Sequence, residues 1–216
     1  FPEGMREEVI AAWQAQGLAD EAALGGLFHY DPFEQLDPDV YPRPEIGDWS
    51  DPSKLLPMLR RRLEADDPAR LPEGWEQLAG RLGNPPHGRD YPIFMRIHPG
   101  LLLSLGVEEW RSFAPAIYRM TDEPEVARQI LAIQADFAAR LAEKVLRRVD
   151  VDGVIFSEPI AGNSGALISP GMYRQLALES YAPVFEVLQR YQVPAIIWRS
   201  YANPSRLIPE VVKYPF

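Results

Sequence analysis

The chain has 216 residues, with 22 Lys and Arg against 31 Asp and Glu, so its formal net charge is −9. This acidity argues against nucleic-acid and anionic-membrane partners, because phosphate groups repel it. Cysteine is absent, which excludes disulfides, iron–sulfur clusters, thiolate zinc sites and a cysteine nucleophile. Hydrophobic residues make up 46% of the chain without any apolar run of about 18 residues. We therefore expect a cytoplasmic, globular enzyme or binding domain.

The first 50 residues predict one helix and then an extended stretch. Apolar residues recur at helical spacing over residues 3–16, and Gly17 suits the position after a helix end. Prolines recur over residues 28–50 and exclude a long regular element there. Two interpretations stay open for this stretch: an extended wrap over a neighbouring surface, or a lid over a pocket.

Strands and helices alternate in the rest of the chain. Continuous apolar runs predict three buried strands, at residues 93–98, 154–158 and 195–199. Helix patterns, several with Pro in the first turn, fall at residues 51–63, 101–120, 123–148, 169–188 and 204–212. Within these helices we expect an interruption near Pro115 and a kink at Pro183.

This alternation predicts an α/β fold with a parallel sheet covered on both faces. The sheet would be a closed barrel or an open doubly wound sheet. Neither glycine-rich phosphate-binding motif follows any strand, which argues against the nucleotide-binding version.

Polar side chains stand at the carboxyl end of each predicted strand, where parallel α/β proteins bind their ligands. They are Arg96 and His98, Ser157 and Glu158, and Arg199 and Tyr201. The two arginines suit a substrate with carboxylates, because guanidinium groups pair bidentately with them.

Glu158 and His98 are the candidate catalytic residues. Glu158 is interpreted as a general acid/base or metal ligand, or as the ion-pair partner of Arg96 or Arg199. His98 is interpreted as a base, a ligand or a packed, hydrogen-bonded side chain. These two residues alone are too few ligands for a typical metal site, since catalytic zinc usually takes three protein ligands. No metal is therefore assigned. The loop at residues 161–165, before Ser169, either holds an anion on its amides or is an ordinary capped connection.

Residues 158–174, Glu-Pro-Ile-Ala-Gly-Asn-Ser-Gly-Ala-Leu-Ile-Ser-Pro-Gly-Met-Tyr-Arg, resemble a segment of the uroporphyrinogen decarboxylase family, which includes corrinoid-dependent methyltransferases. Residues 196–203 and 207–209 are similar to a second block of that family, a strand followed by a Gly-Asn turn. Residues 67–75 and 120–125 resemble the methyltransferase-like branch. The resemblance covers about residues 60–213.

The resemblance implies a (β/α)8 TIM barrel, incomplete in this chain, with a cleft at the strand carboxyl ends. We accordingly divide the chain into an N-terminal helical and Pro-rich extension, residues 1–60, and a partial barrel, residues 61–216. Because such barrels take about 250 residues, we expect further strands beyond the chain or a lost segment near residues 31–57.

The implied activities are methyl transfer to or from a corrinoid and, as the alternative, decarboxylation of porphyrinogen acetates. A non-catalytic barrel that binds a corrinoid or small acid is the second alternative. The resemblance implies a small or tetrapyrrole-related substrate, a corrinoid as substrate or as the cofactor of a partner protein, and a homodimer. Ser157 and Asn203 join Arg96, Arg199 and Tyr201 as predicted substrate-binding residues.

The chain departs from the family pattern at several places. Of the acidic pair that commonly closes the earlier strand only Glu158 is present, and the Arg-rich N-terminal signature and catalytic Asp segment of the decarboxylases are not visible. Methyltransferase members often carry His-x-Cys before the Gly-Asn turn, as zinc ligands that activate a thiol. The matching positions are Arg199 and Tyr201, and Ala202 replaces the Gly. We therefore expect no zinc–thiolate site.

Overall fold

The computed structural model describes residues 3–19, 31–83 and 88–216, and it divides into two units, Phe1–Phe33 and Glu34–Phe216. Residues 28–30 of the predicted Pro-rich stretch lie outside the described residues. In the first unit, α1 spans Glu3–Gln14. Gly17 takes φ +108°, and the Leu18 N–H donates to the Trp13 carbonyl at 3.0 Å. This helix end confirms the prediction made for Gly17.

The second unit is built on a parallel sheet of four strands: β1 (Glu34–Leu36), β2 (Ile93–His98), β3 (Gly153–Glu158) and β6 (Ala195–Ser200). Their order across the sheet is β1-β2-β3-β6, and every neighbouring pair is parallel. The predicted α/β class with a parallel sheet is confirmed, whereas the expected cover on both faces is not, since this strand order places the crossover helices on one face. β1 was not predicted, because its three residues lie inside the Pro-rich stretch.

Each of these strands lies beside the one that precedes it along the chain, so the sheet extends in one direction from β1 to β6. Right-handed crossovers in such a sheet place the connecting helices on the same face. A two-stranded hairpin, β4 (Ala161–Gly162) and β5 (Gly165–Ala166), follows β3.

The helices of the second unit are α2 (Pro52–Arg62), α3 (Trp75–Gly83), α4 (Leu101–Ser104), α5 (Trp110–Asp122), α6 (Pro124–Leu146), α7 (Pro170–Tyr173), α8 (Ala182–Arg190) and α9 (Ile208–Val211). They follow the predicted order, apart from α3, which was not predicted. Asp51 caps α2, where its carboxylate accepts from the Ser53 N–H at 3.0 Å. Ser169 caps α7, where its hydroxyl accepts from the Met172 N–H at 3.2 Å. Both start signals are confirmed.

Two helix interruptions differ in place from the predictions. The interruption expected near Pro115 is wrong, because α5 continues through Pro115, and the break falls between α4 and α5, where Gly106 takes φ +81°. Pro115 is the sixth residue of α5, where its missing N–H removes one backbone hydrogen bond without ending the helix. We expected a kink at Pro183. The helix is instead irregular just before that proline, with a π turn and then a 3-10 turn over residues 174–181.

The Pro-rich strap, residues 37–49, is extended and bound along its length. Buried Arg70 donates to the carbonyls of Asp39 and Tyr41, and Gln134 Nε2 donates to the Val40 carbonyl at 2.7 Å. Val40 is itself buried in the main core. The strap therefore wraps over the unit's own core. Among the described residues, none of the helices combines the length and apolar character that a membrane crossing requires.

Candidate functional site

A bulge in β2 separates two residues that strand alternation would place on one face. Arg96 pairs with Ile155 of β3, whereas His98 pairs with the very next residue, Phe156. The extra residue turns the following side chain to the opposite face. Arg96 and His98, predicted as neighbours at one strand end, therefore face opposite sides of the sheet.

The first group of predicted residues shares what we call the open face of the sheet. The register Arg96–Ile155–Ile197 and Ser157–Arg199 places Arg96, Ser157 and Arg199 on this side. Arg96 and Arg199 are half-buried, and Ser157 is buried. The two arginines stand two strands apart, roughly 10 Å across the sheet, and Arg199 lies two residues, about 7 Å, further along its strand. The structure thus brings together three of the five predicted substrate-binding residues.

The two guanidinium groups retain unused binding capacity. Arg96 Nε lies 3.3 Å from Asp37 Oδ1, a charge contact without hydrogen-bond geometry. Arg199 Cζ lies 5.8 Å from the ring centroid of Tyr201, and Tyr201 is 51% exposed. Neither Nε has a hydrogen-bond partner among the described residues. Each guanidinium therefore keeps an Nε–H donor that makes no hydrogen bond among the described residues.

Tyr41 belongs to the same neighbourhood, although the sequence did not point to it. Burial raises the pKa of its phenol; the Arg96 guanidinium opposes that rise, and Asp39, Glu108 and Tyr201 add to it. The link between Tyr41 and Arg96 spans 55 positions and no motif signals it. The only sequence cue was its place in the stretch interpreted as a wrap or a lid.

Glu158 lies on the opposite, helix-covered face with no exposed surface. One carboxyl oxygen accepts from the Tyr181 hydroxyl, and the other accepts from the Leu101 N–H at 3.0 Å. Burial raises the pKa of Glu158 to about 7, although these hydrogen bonds oppose the rise. The side chain is therefore an internal acid that links β3 to the start of α4 and to Tyr181.

His98 is buried beside it, with its ring 4.7 Å from that of Tyr181. Its Nδ1 accepts from the Gly100 N–H at 3.0 Å, so the proton of the neutral ring is on Nε2. Burial lowers the pKa of His98 to about 3, and it is neutral at physiological pH. Nε2 has no hydrogen-bond partner among the described residues.

Gly100 explains how closely these segments approach. It takes φ +91°, and a Cβ there would lie 2.2 Å from the Ser157 carbonyl oxygen and 2.8 Å from Glu158 Oε2. Only glycine fits this contact. The buried pair of His98 and Glu158 thus fixes the backbone beside Ser157, while neither side chain reaches the open face.

The loop after β6 is held by the β4–β5 hairpin. The Asn203 N–H donates to the Gly162 carbonyl at 3.2 Å, and the Asn203 side-chain oxygen accepts from the Ser205 N–H at 3.3 Å. Asn203 is exposed, and its side-chain oxygen is used within its own turn. Ala202 takes φ +62°, a left-handed conformation that favours glycine.

The residues at the zinc-ligand positions do not fit a zinc–thiolate centre. Arg199 carries a permanent positive charge, and its guanidinium lies over the Tyr201 ring. Within residues 3–19, 31–83 and 88–216, no group of three His, Asp or Glu side chains is arranged to hold a metal ion. No known protein-family model matches the chain, and no curated protein matches it significantly.

Proposed function

We propose that this chain is part of an enzyme of the uroporphyrinogen decarboxylase family, in its methyltransferase-like branch. Its substrate would be a small or tetrapyrrole-related molecule that Arg96 and Arg199 bind by its carboxylates. The observation that carries the proposal is that both arginines lie on the open face, each with an Nε that makes no hydrogen bond among the described residues, although Arg96 Nε contacts Asp37. Ser157 and Tyr201 lie at the same strand ends and would complete the contact.

Two further features support the family assignment. A sheet that grows in one direction, with its helices on one face, is the arrangement found in segments of (β/α)8 barrels, whereas doubly wound sheets reverse their strand order. The open face would then be the barrel interior. The left-handed Ala202 also occupies the position at which the family carries glycine. A corrinoid partner protein and a homodimer stay predictions from the resemblance.

Glu158 and His98 would serve this site as positioning residues. Both side chains are buried away from the arginines, and they hold the Gly100 backbone against Ser157. Their burial also favours a second candidate function, a barrel that binds a carboxylate or a corrinoid but catalyses no reaction. Decarboxylation of a porphyrinogen stays the alternative reaction.

Absorbance titrations with uroporphyrin and with cobalamin test the binding role. We expect R96Q and R199Q each to weaken uroporphyrin binding by about tenfold or more, since a hydrogen bond to a charged group contributes about 1.5–3 kcal/mol and about 1.4 kcal/mol is tenfold. The control is R111Q, because the Arg111 side chain is 85% exposed and pairs with its neighbour Glu109.

Each outcome separates the candidates. Carboxylate loss on incubation with uroporphyrinogen identifies a decarboxylase, and affinity without turnover identifies a binding barrel. Equal binding by wild type, R96Q and R199Q would overturn the carboxylate site.

A further inference from the structure

We propose that Trp198 and Ser200 are positioning residues for Arg199, an inference that rests on the proposed function. Both residues flank Arg199 on β6, and both bind the rest of the unit on the helix-covered face. Together they fix the carboxyl end of β6, so that the Arg199 guanidinium is held in place on the open face before a ligand carboxylate arrives.

Arg199 lies on the least enclosed strand of the sheet. Among the described strands, β6 pairs with β3 and with no other, and its six residues are all partly exposed. A strand at a sheet edge opens more readily than a central one. A site that depends on Arg199 therefore needs this strand end to be fixed in advance, because ordering it on binding would weaken the affinity.

Trp198 provides the first anchor. Its pairing with Phe156 places it on the helix-covered face of the sheet. Its indole Nε1–H donates to the Tyr173 hydroxyl at 2.6 Å. Tyr173 is the last residue of α7 and is fully buried, so this bond ties the edge strand to a fixed group in the core.

Ser200 provides the second anchor, one residue beyond Arg199. Its hydroxyl donates to the backbone carbonyl of Glu158 at 2.8 Å. Glu158 is itself fixed, because its carboxyl accepts from the Tyr181 hydroxyl and from the Leu101 N–H. The Ser200 side chain therefore adds a bond to a buried residue at the point where the backbone ladder between β3 and β6 ends.

Neither anchor contacts a ligand on the open face. Strand alternation directs the side chains of Trp198 and Ser200 to the face opposite to Arg199. Removing either bond therefore affects ligand binding through the position of Arg199 and not through a lost contact with the ligand. A double-mutant cycle with Arg199 can measure this dependence.

Absorbance titrations with uroporphyrin test the inference. We expect S200A and W198F each to weaken binding about threefold, since a neutral hydrogen bond makes a modest net contribution. S200T keeps the hydroxyl and should bind as wild type does. The matched controls are S112A, because the Ser112 hydroxyl also donates to a backbone carbonyl, that of Glu109, at 2.8 Å, and W110F, because Trp110 is 77% exposed.

Double variants separate a positioning role from a general loss of structure. In the R199Q background, we expect S200A and W198F to cause no further loss of uroporphyrin binding, because the group that they place is already removed. In the R96Q background, each should still weaken binding about threefold, since Arg199 is then present.

A second measurement needs no ligand. Hydrogen exchange by mass spectrometry follows the backbone amides of β6 and of β3 in each variant. We expect the β6 amides to exchange at least about threefold faster in S200A and W198F than in wild type, and those of β3 to be unchanged.

Wild-type uroporphyrin affinity in S200A and W198F overturns the inference while R96Q and R199Q still lose binding, and so does unchanged exchange of β6 in both variants. An equal loss from S200A with and without R199Q also overturns it, because the effect would then not pass through Arg199. If R96Q and R199Q bind uroporphyrin as wild type does, the proposed function fails first and this inference fails with it.

Discussion

Single residues decide which predicted groups can meet. The extra residue in β2 moves His98 to the helix-covered face, whereas Arg96 stays on the open face. The sequence showed both residues at one strand end, and alternation with a period of two assigns them to one side. The bulge interrupts this alternation and has no signal in the sequence of polar and apolar residues. The separation of Arg96 from His98 was therefore not predictable from that sequence pattern.

The pH dependence of stability provides a test of Glu158. Its carboxyl has a pKa of about 7 in the folded chain against an ordinary value of 4.5. The folded state therefore keeps this proton between those pH values, while the unfolded state loses it. The contribution of Glu158 to the free energy of unfolding should therefore fall by roughly 3 kcal/mol as pH rises through this window, and level off above pH 7.

Urea unfolding of E158Q at pH 5 and pH 8 measures this contribution. The glutamine amide cannot ionise, so we expect the change in unfolding free energy from pH 5 to pH 8 to be roughly 2–3 kcal/mol more positive in the variant than in wild type. The pKa of His98 is about 3 in the folded chain against an ordinary 6.5, so His98 adds stability as pH rises, equally in both proteins, and cancels in the comparison. The control is E186Q, since Glu186 is exposed. The same pH dependence in E158Q as in wild type would contradict a raised pKa.

Among the elements, the strap depends most on a single side chain outside it. Arg70 is 1% exposed and donates to four carbonyls, those of Asp39, Tyr41, Arg62 and Glu64. Its guanidinium also lies 4.9 Å from the ring centroid of Phe137. One buried cation thus satisfies backbone groups of both the strap and the segment after α2.

We expect R70L to lower the free energy of unfolding by about 3 kcal/mol or more, because it leaves several buried carbonyls without donors. R61L should change stability by less than about 0.5 kcal/mol, since Arg61 is exposed on α2. Urea unfolding measures both. A stability loss in R70L no larger than that in R61L would contradict the role given to Arg70.

The elements with strong local signals were predictable, and those fixed by distant contacts were not. Asp51 and Ser169 start their helices through bonds to residues two or three positions away, so the sequence shows both. β1 is a strand only because it pairs with β2, about 60 residues later. Tyr41 reaches the site in the same way, through Arg70 and Gln134.

In the whole molecule, the four strands are not equally enclosed. All six residues of β3 are buried between two neighbouring strands, whereas all six residues of β6 are partly exposed. Among the described strands, β6 lies at the edge of the sheet. Edge strands open more readily because part of their backbone faces solvent.

Hydrogen exchange measured by mass spectrometry should show this difference. We expect amides of β6 to exchange at least about tenfold faster than those of β3, with the buried helix α6 as the protected reference. Equal protection of β3 and β6 would mean that another strand pairs with the outer edge of β6 in solution.

The one-directional strand order also affects how the chain acquires its fold during synthesis. Each strand pairs with one that the ribosome has already released, so the sheet can be extended one strand at a time as the polypeptide emerges. Arg70 leaves the ribosome after the strap and before β2, so its bonds to the strap can form before β2 is complete, whereas the bond from Gln134 to the strap forms only later. A topology with reversed strand order would instead leave early strands waiting unpaired for late partners, exposed to aggregation.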